Sequence, residues 1–218
     1  MRALYRIVWI VSLLAILGMS FWFVMQPPAL PVIGPMTAYV SDDKSLALQY
    51  PGNWKPREAA SHAVASRVAF DPNVNTHFAI DASLAGSLMG DIAKSNTSML
   101  SSMPGMPAGF ADKQKSPLEM LHAASLHAMA KNKNRYPDFE PGATQPTQVG
   151  GAEALATDFT FTLGGVWGKR EMVGTYITLL AKDREVSVTA TSSKALQKTM
   201  KPLFEQMIAS INLGQAGG

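Results

Sequence analysis

From Leu155 to Leu163 the chain reads LATDFTFTL, and alternation of that kind leaves few structural options. In an extended chain Leu155, Thr157, Phe159, Phe161 and Leu163 fall on one side, with Asp158, Thr160 and Thr162 on the other. Such a segment needs a packed layer beneath it and strand partners on both edges. The same period recurs elsewhere. Leu46, Leu48 and Tyr50 share a face within Ser45–Tyr50, and Val64, Ser66, Val68 and Phe70 share one within Ala63–Phe70, with Arg67 opposite. Phe78, Ile80 and Ala82 repeat it, and Val186, Val188 and Ala190 alternate with Ser187 and Thr189. Val166–Ala181 reads as one long strand or a bent pair, and Lys182-Asp183-Arg184 as a polar turn. Gly164-Gly165 supplies residues tolerant of the positive φ that a tight hairpin demands. Most connections are short, which favours antiparallel pairing.

Two segments switch to helical spacing. Ser116-Pro117-Leu118-Glu119 fits a capping box: Ser at the cap, Pro at the first helical position, and Glu reaching back. The helix is expected to run to about Asn132, burying Leu118, Leu121, Ala128 and Met129 and leaving the Lys131–Arg135 run solvated. The last helix carries Phe204, Met207, Ile208 and Ile211 at i, i+3, i+4, i+7, with Pro202 in its first turn. Alternating strands plus two amphipathic helices predict an α+β domain, an antiparallel sheet covered by helices, over residues 36–213. Residues 214–218 read as a disordered tail.

LQYPGNWKP, residues 48–56, poses a local question. Tyr50 and Trp54 could form a ligand platform. The better account ends a strand at Tyr50, sets Pro51-Gly52 at the centre of a type II turn, and returns Trp54 to the core or its rim.

Ahead of the domain, Ile7–Met25 is nineteen residues without a charge. As a helix it spans roughly 28 Å, close to the ~30 Å hydrocarbon core of a bilayer. Trp9 and Trp22 lie near its ends, Arg2 and Arg6 precede it, and the first charges beyond it are Asp42 and Asp43. Residues 1–25 are therefore expected to form a transmembrane anchor that contacts lipid through residues 7–25; the competing reading is a cleaved signal peptide, against which stand the length of the run and the lack of a small-x-small cleavage site after it. The N-terminus would be cytoplasmic and the domain periplasmic or otherwise extracytoplasmic, at a bacterial inner membrane. Residues 26–35, QPPALPVIGP, read as a stiff proline-rich spacer.

Composition removes several chemistries. The chain has no cysteine, which excludes disulfides, thiolate metal sites and thiol nucleophiles. Taking Arg2 and Arg6 from the 19 Lys+Arg leaves 17 against 16 Asp+Glu, too even a balance for nucleic-acid binding. No nucleophile elbow, phosphate-cradling glycine loop or paired-carboxylate motif is present. His122 and His127 diverge by about 140° on their helix and read as partly exposed surface residues, while His62 and His77 have no evident partner.

Residues 84–115 stand apart as a Met-, Gly-, Ser- and Pro-rich insert. Met99, Met103, Met106 and Phe110 are its candidate partner- or ligand-binding residues. Three readings stay open: a soft-metal site, since thioethers suit Cu(I); an adaptable apolar surface for membrane protein or lipid; or a long loop with a few apolar anchors.

The order of pieces resembles the PsbP-like family. The resemblance is carried by AYVSDDKS leading into LALQYPGNWK, by SPLEMLHAASLHAMAKNKNRYPDFE, by VGGAEALATDFTFTLGGVWGKREMVGTYITLL and by EVSVTATSSKALQKTMKPLFEQMIASI, together about residues 37–212. It implies an α-β-α sandwich with accessory or binding roles and no shared catalytic site; the insert departs from the pattern. The resulting expectation is a non-enzymatic accessory or assembly subunit of a membrane-associated protein complex, without cofactor. The alternative is an extracytoplasmic binder of a small apolar ligand, lipid or soft metal ion.

Overall fold

The alternating segment that begins at Leu155 folds into the middle of a long hairpin. In the computed structural model, β7 (Ala152–Gly165) pairs antiparallel with β8 (Gly168–Ala181), from Ala154 opposite Leu179 to Gly165 opposite Gly168. The structure describes residues 2–25, 29–42, 44–58, 65–83, 116–165, 168–181 and 184–214. Around the hairpin the sheet grows to seven strands in the order β3-β4-β5-β9-β8-β7-β6, every pairing antiparallel. The further strands are β3 (Pro56–Glu58), β4 (Ala65–Asn73), β5 (Thr76–Ser83), β6 (Glu140–Val149) and β9 (Arg184–Ser193). A second sheet has the order β1-β2-β10, from β1 (Met36–Val40), β2 (Leu46–Pro51) and β10 (Asn212–Leu213).

Helices cover the two faces of the large sheet. On one lies α2 (Pro117–Lys131), with its capping box in place: Glu119 N–H donates to Ser116 Oγ at 3.2 Å, and Ser116 N–H to Glu119 Oε2 at 2.6 Å. On the other lie α3 (Gln197–Ala209), entered through a 3₁₀ turn at Lys194–Leu196, and the small sheet. Between α3, the small sheet and the large sheet sits the main core, where Leu46, Leu48, Trp54, Val68, Phe70, Phe78, Ile80, Leu179, Val188, Met200, Phe204 and Met207 are buried. Phe78 and Phe204 stack at 5.9 Å. A second cluster on the α2 face joins Met129, Tyr136, Phe139, Phe159, Phe161, Met172 and Tyr176. One strand therefore feeds two cores: β7 sends Phe159 and Phe161 to the α2 side and Ala154 to the α3 side.

Several local expectations change. Pro202 is the sixth residue of α3, because Leu196, Met200, Leu203 and Met207 extend the buried stripe a turn and a half earlier than the later apolar spacing indicates. On α2 the buried residues are His122 and Met129, seven apart; Leu118 and Leu121 are half-buried and Ala128 is exposed. The turn after β2 closes one residue later than expected, with Trp54 N–H bonded to Pro51 O at 2.8 Å. Gly52 keeps an ordinary φ and is small for another reason: a Cβ there would stand 3.2 Å from Pro35 O. Trp54 is buried, in the core as anticipated. At the β7–β8 hairpin the positive φ belongs to Gly168, while Gly164 pairs with Lys169 inside the ladder.

β6 has no alternating pattern and carries Pro141, Gly142 and Pro146. It survives as a strand because it lies at the sheet edge, where a missing donor is tolerated, and because a bulge between Pro141 and Thr144 absorbs the misfit. Gly150 and Gly151, both at positive φ, make the two-residue turn into β7.

Ahead of the domain, α1 (Arg2–Met25) is a single 24-residue helix. Among the described residues no helix is long and apolar enough to cross a membrane; side chains of α1 are described for residues 9–20. Residues 29–35 of the proline-rich segment lie against the domain, rather than standing off it as a free spacer. Asn73 Nδ2 donates to Ala29 O at 3.0 Å, Asn53 Nδ2 and Trp54 Nε1 to Val32 O at 2.7 and 3.1 Å, and Gly34 N–H to Asn53 Oδ1 at 2.7 Å.

Candidate functional site

Because α3 crosses only part of its face of the sheet, the remainder is an open groove of about 670 Å³. Its floor follows from strand alternation: the residues of β7, β8 and β9 opposite the α2 face point into it. Its floor runs in register rows, with Ala156 beside Ile177, then Asp158, Thr175 and Ala190, then Thr160, Val173 and Ser192, and α3 adds Phe204 and Ile208 as an apolar wall. The polar floor groups are Asp158, Thr160, Thr175 and Ser192, with Thr175 Oγ1 donating to Asp158 Oδ1 at 2.5 Å. Glu140, Lys201 and Glu205 edge the groove from β6 and α3. Three carboxylates against one ammonium make the lining acidic. The volume falls within the ~300–1,000 Å³ typical of ligand pockets, and apolar residues interleaved with carboxylates suit an amphipathic guest bearing a cation.

The opposite face is closed by a polar clasp. His122, 2% exposed, bonds Thr157 Oγ1 through Nε2 at 2.8 Å and Thr178 Oγ1 through Nδ1 at 3.0 Å. Thr157 Oγ1 also meets Thr144 Oγ1 at 2.8 Å. This corrects the expectation of an exposed helix histidine. The helix presents His122 to two inward-facing threonines on neighbouring strands, and the neutral ring donates to one hydroxyl and accepts from the other. Burial holds its pKa below the ordinary imidazole range. The clasp fixes α2 on the sheet and leaves no free ring nitrogen for chemistry.

His77 also gains a partner that spacing did not indicate. Its Nδ1 bonds Asp71 Oδ1, and Arg57 Nη2 pairs with Asp71 Oδ2 at 2.5 Å. Its Nε2 is buried without a partner, beside a small cavity of about 150 Å³ that Val74, Arg135, Tyr136 and Thr191 help to line. Nearby, Asp81 pairs with Arg67 at 3.1 Å, and burial raises its pKa although Arg67, Arg135 and His77 pull the other way. No hydroxyl among the described residues is bonded to His77. Among the described residues, no group of three or more His, Asp or Glu side chains is placed to hold a metal ion. Met99, Met103, Met106 and Phe110, the candidates from sequence, lie outside the described residues, as does His62.

No family model and no curated protein matches the chain. Solved structures do. The cyanobacterial PsbP protein CyanoP from Synechocystis sp. PCC 6803 superposes with a TM-score of 0.52 at 10% identity, over 87% of this chain and 99% of that one. A protein from Bacteroides thetaiotaomicron VPI-5482 follows at a TM-score of 0.45 and 12% identity, over 86% of this chain and 51% of that one. The Ran-binding protein Mog1p of Saccharomyces cerevisiae gives 0.43 at 10% identity, over 83% and 96%. The sheet order, the helices on both faces and the superposition on CyanoP agree: this chain has a PsbP-like α+β fold.

Proposed function

We propose that the chain is a non-catalytic accessory or assembly subunit of a membrane-associated complex, held at a bacterial inner membrane by α1 with its domain outside the cytoplasm. The groove beside α3 is the surface that takes a partner segment. That groove carries the reading, since apolar residues and carboxylates lining one groove match an extended or helical segment that carries both apolar residues and Lys or Arg. The anchor rests on the uncharged run, on the 24-residue helix it forms, and on the exposure of Trp9, Ile10, Leu14, Ile16, Leu17 and Met19 along its described part.

The experiment is purification of the full chain in mild detergent, as wild type and as Val173→Trp, which places an indole on the groove floor. A stoichiometric membrane-protein partner that accompanies wild type and is lost from a folded Val173→Trp supports the proposal. A lone monomer carrying lipid or another small apolar molecule, displaced by the same substitution, replaces it with the ligand-binding alternative. Retention of the partner by a folded Val173→Trp removes the groove from the interface.

A further inference from the structure

The way residues 29–35 are tied down limits where the domain sits. Asn73, at the end of β4, holds Ala29, which is four residues beyond the last residue of α1. Four residues reach at most about 14 Å, so the β4–β5 turn stays within that distance of the end of α1. The turn itself is fixed: Asn75 N–H donates to Asn73 Oδ1 at 2.9 Å, Ser193 N–H to Asn75 O at 2.8 Å, and Arg170 Nη1 to Asn75 Oδ1. At its tip Val74 is 83% exposed, the most exposed large apolar side chain among the described residues. Leu30 and Val32 follow at 56% and 76%, held outward because the backbone of Val32 is clamped by Asn53 and Trp54. Scattered apolar side chains on a surface are ordinary; these three gather where the tether leaves.

Cations stand at the same end. Strand register brings the start of β8 beside the start of β5, through Ser192 opposite both Thr76 and Val173, so Lys169 and Arg170 lie at the sheet end that carries Val74. Arg135 borders the small cavity that Val74 also lines. Lys169 pairs with Asp138 at 3.2 Å, while Arg170 is held by the neutral Asn75 amide and Arg135 lies over the Tyr136 ring at 5.5 Å. Apolar tips flanked by cations fit the boundary between acyl chains and anionic headgroups.

We infer that this end of the seven-stranded sheet lies on an anionic bilayer surface, with Val74, Leu30 and Val32 entering the headgroup–acyl boundary and Arg135, Lys169 and Arg170 facing lipid phosphates. The inference rests on the proposed role of α1 as an anchor. It fixes the domain's orientation: the other end of the sheet, with the β6–β7 turn, points away from the membrane, and the groove opens sideways where a neighbouring subunit can reach it.

The chain has no cysteine, so single substitutions can be labelled. Val74→Cys and Glu153→Cys place a polarity-sensitive fluorophore at the two ends; Glu153 is exposed and roughly 33 Å along β7 from Leu163, which lines the cavity with Val74. The full chain is reconstituted into vesicles of mixed phosphatidylglycerol and phosphatidylcholine. The label at position 74 is expected to be about threefold less accessible to iodide than that at 153 and to be quenched by doxyl-labelled lipid. Replacing Arg135, Lys169 and Arg170 by Gln is expected to reduce that protection in anionic vesicles. Equal iodide quenching at both positions, in protein that resists a carbonate wash, overturns this inference and leaves the anchor standing. Release of the protein by the wash overturns both. A position-74 label that is water-exposed in vesicles but shielded in native membranes assigns the patch to a protein partner instead, which also overturns it.

Discussion

Trp54→Ala offers a test of the core reading of the Pro51–Trp54 turn. Trp54 is 3% exposed in the main core, its N–H closes the turn on Pro51 O, and its Nε1 donates to Val32 O. Truncating a buried aromatic to Ala costs about 3–5 kcal/mol, from lost apolar contact and the cavity left behind. The indole hydrogen bond adds little, about 0.5–1.5 kcal/mol, because Asn53 Nδ2 still serves the same carbonyl at 2.7 Å. Trp54→Phe, which keeps most of the ring, is therefore expected to cost about 1–2 kcal/mol. For a domain of this size each kcal/mol lowers Tm by about 2–4 °C, so the Ala variant should melt about 6–20 °C lower and the Phe variant in between. Thermal unfolding of the full chain in mild detergent, followed by far-ultraviolet circular dichroism, measures both. An Ala variant that melts within about 2 °C of wild type while losing a bound partner would refute the core reading and restore an aromatic platform at Tyr50 and Trp54.

Three further predictions follow from packing and titration. His122 is held neutral by burial, so below about pH 6.5 the unfolded chain takes up a proton first and stability falls as pH drops through that value. Asp81 and Glu185, raised by burial, act in the opposite sense, since the folded chain then takes the proton first. Their contribution grows as pH falls toward the carboxylate range. Urea midpoints at about pH 7.5 and 5.5 should therefore drop for wild type and change less for His122→Gln; equal drops would mean that His122 titrates freely. Gly174→Ala should destabilise by about 1–3 kcal/mol or more, because its Cβ would stand 2.6 Å from Phe159 Cζ and 2.8 Å from the Ala190 carbonyl oxygen; unchanged denaturant unfolding would contradict that. Phe204→Ala should cost about 3–5 kcal/mol by loss of its stack on Phe78, read from the same urea curves; a cost under about 1 kcal/mol would mean that α3 repacks around the loss.

How much of the fold was legible depended on how many faces each element buries. β2, β5 and β9 alternate cleanly in sequence because their apolar positions share the single main core. Ser116–Glu119 was readable because capping is local chemistry that acts over three residues. β6 was illegible because an edge strand needs neither alternation nor a full set of donors. The start of α3 was misplaced because Pro202 looks like a helix start, whereas the stripe through Met200 decides where the helix begins. The buried face of α2 was misread for a related reason. Histidine counts as polar in a periodicity, and only the pairing of β7 with β8 reveals two threonines, 157 and 178, waiting on adjacent strands.

The candidate site was illegible for a deeper reason. Its floor uses Asp158 and Thr160, which alternation assigns correctly to the side away from Phe159 and Phe161 but which then read as solvent-facing, and Thr175, to which the sequence pattern gives no face. They become a site only because α3 returns from the far end of the chain and covers part of that face, leaving a wall of Phe204 and Ile208 beside uncovered strands. No spacing within one segment encodes that incompleteness. It arises from the mismatch between a thirteen-residue helix, roughly 20 Å long, and strands β7 and β8 of fourteen residues each, roughly 46 Å. The helix spans less than half the strand length, and the small sheet packs over another part of the same face. Filling the groove from the wall at Ile208, or from the floor at Val173, should therefore compete with the same guest. The two changes lie on different elements, so a shared loss of binding would locate the guest between them.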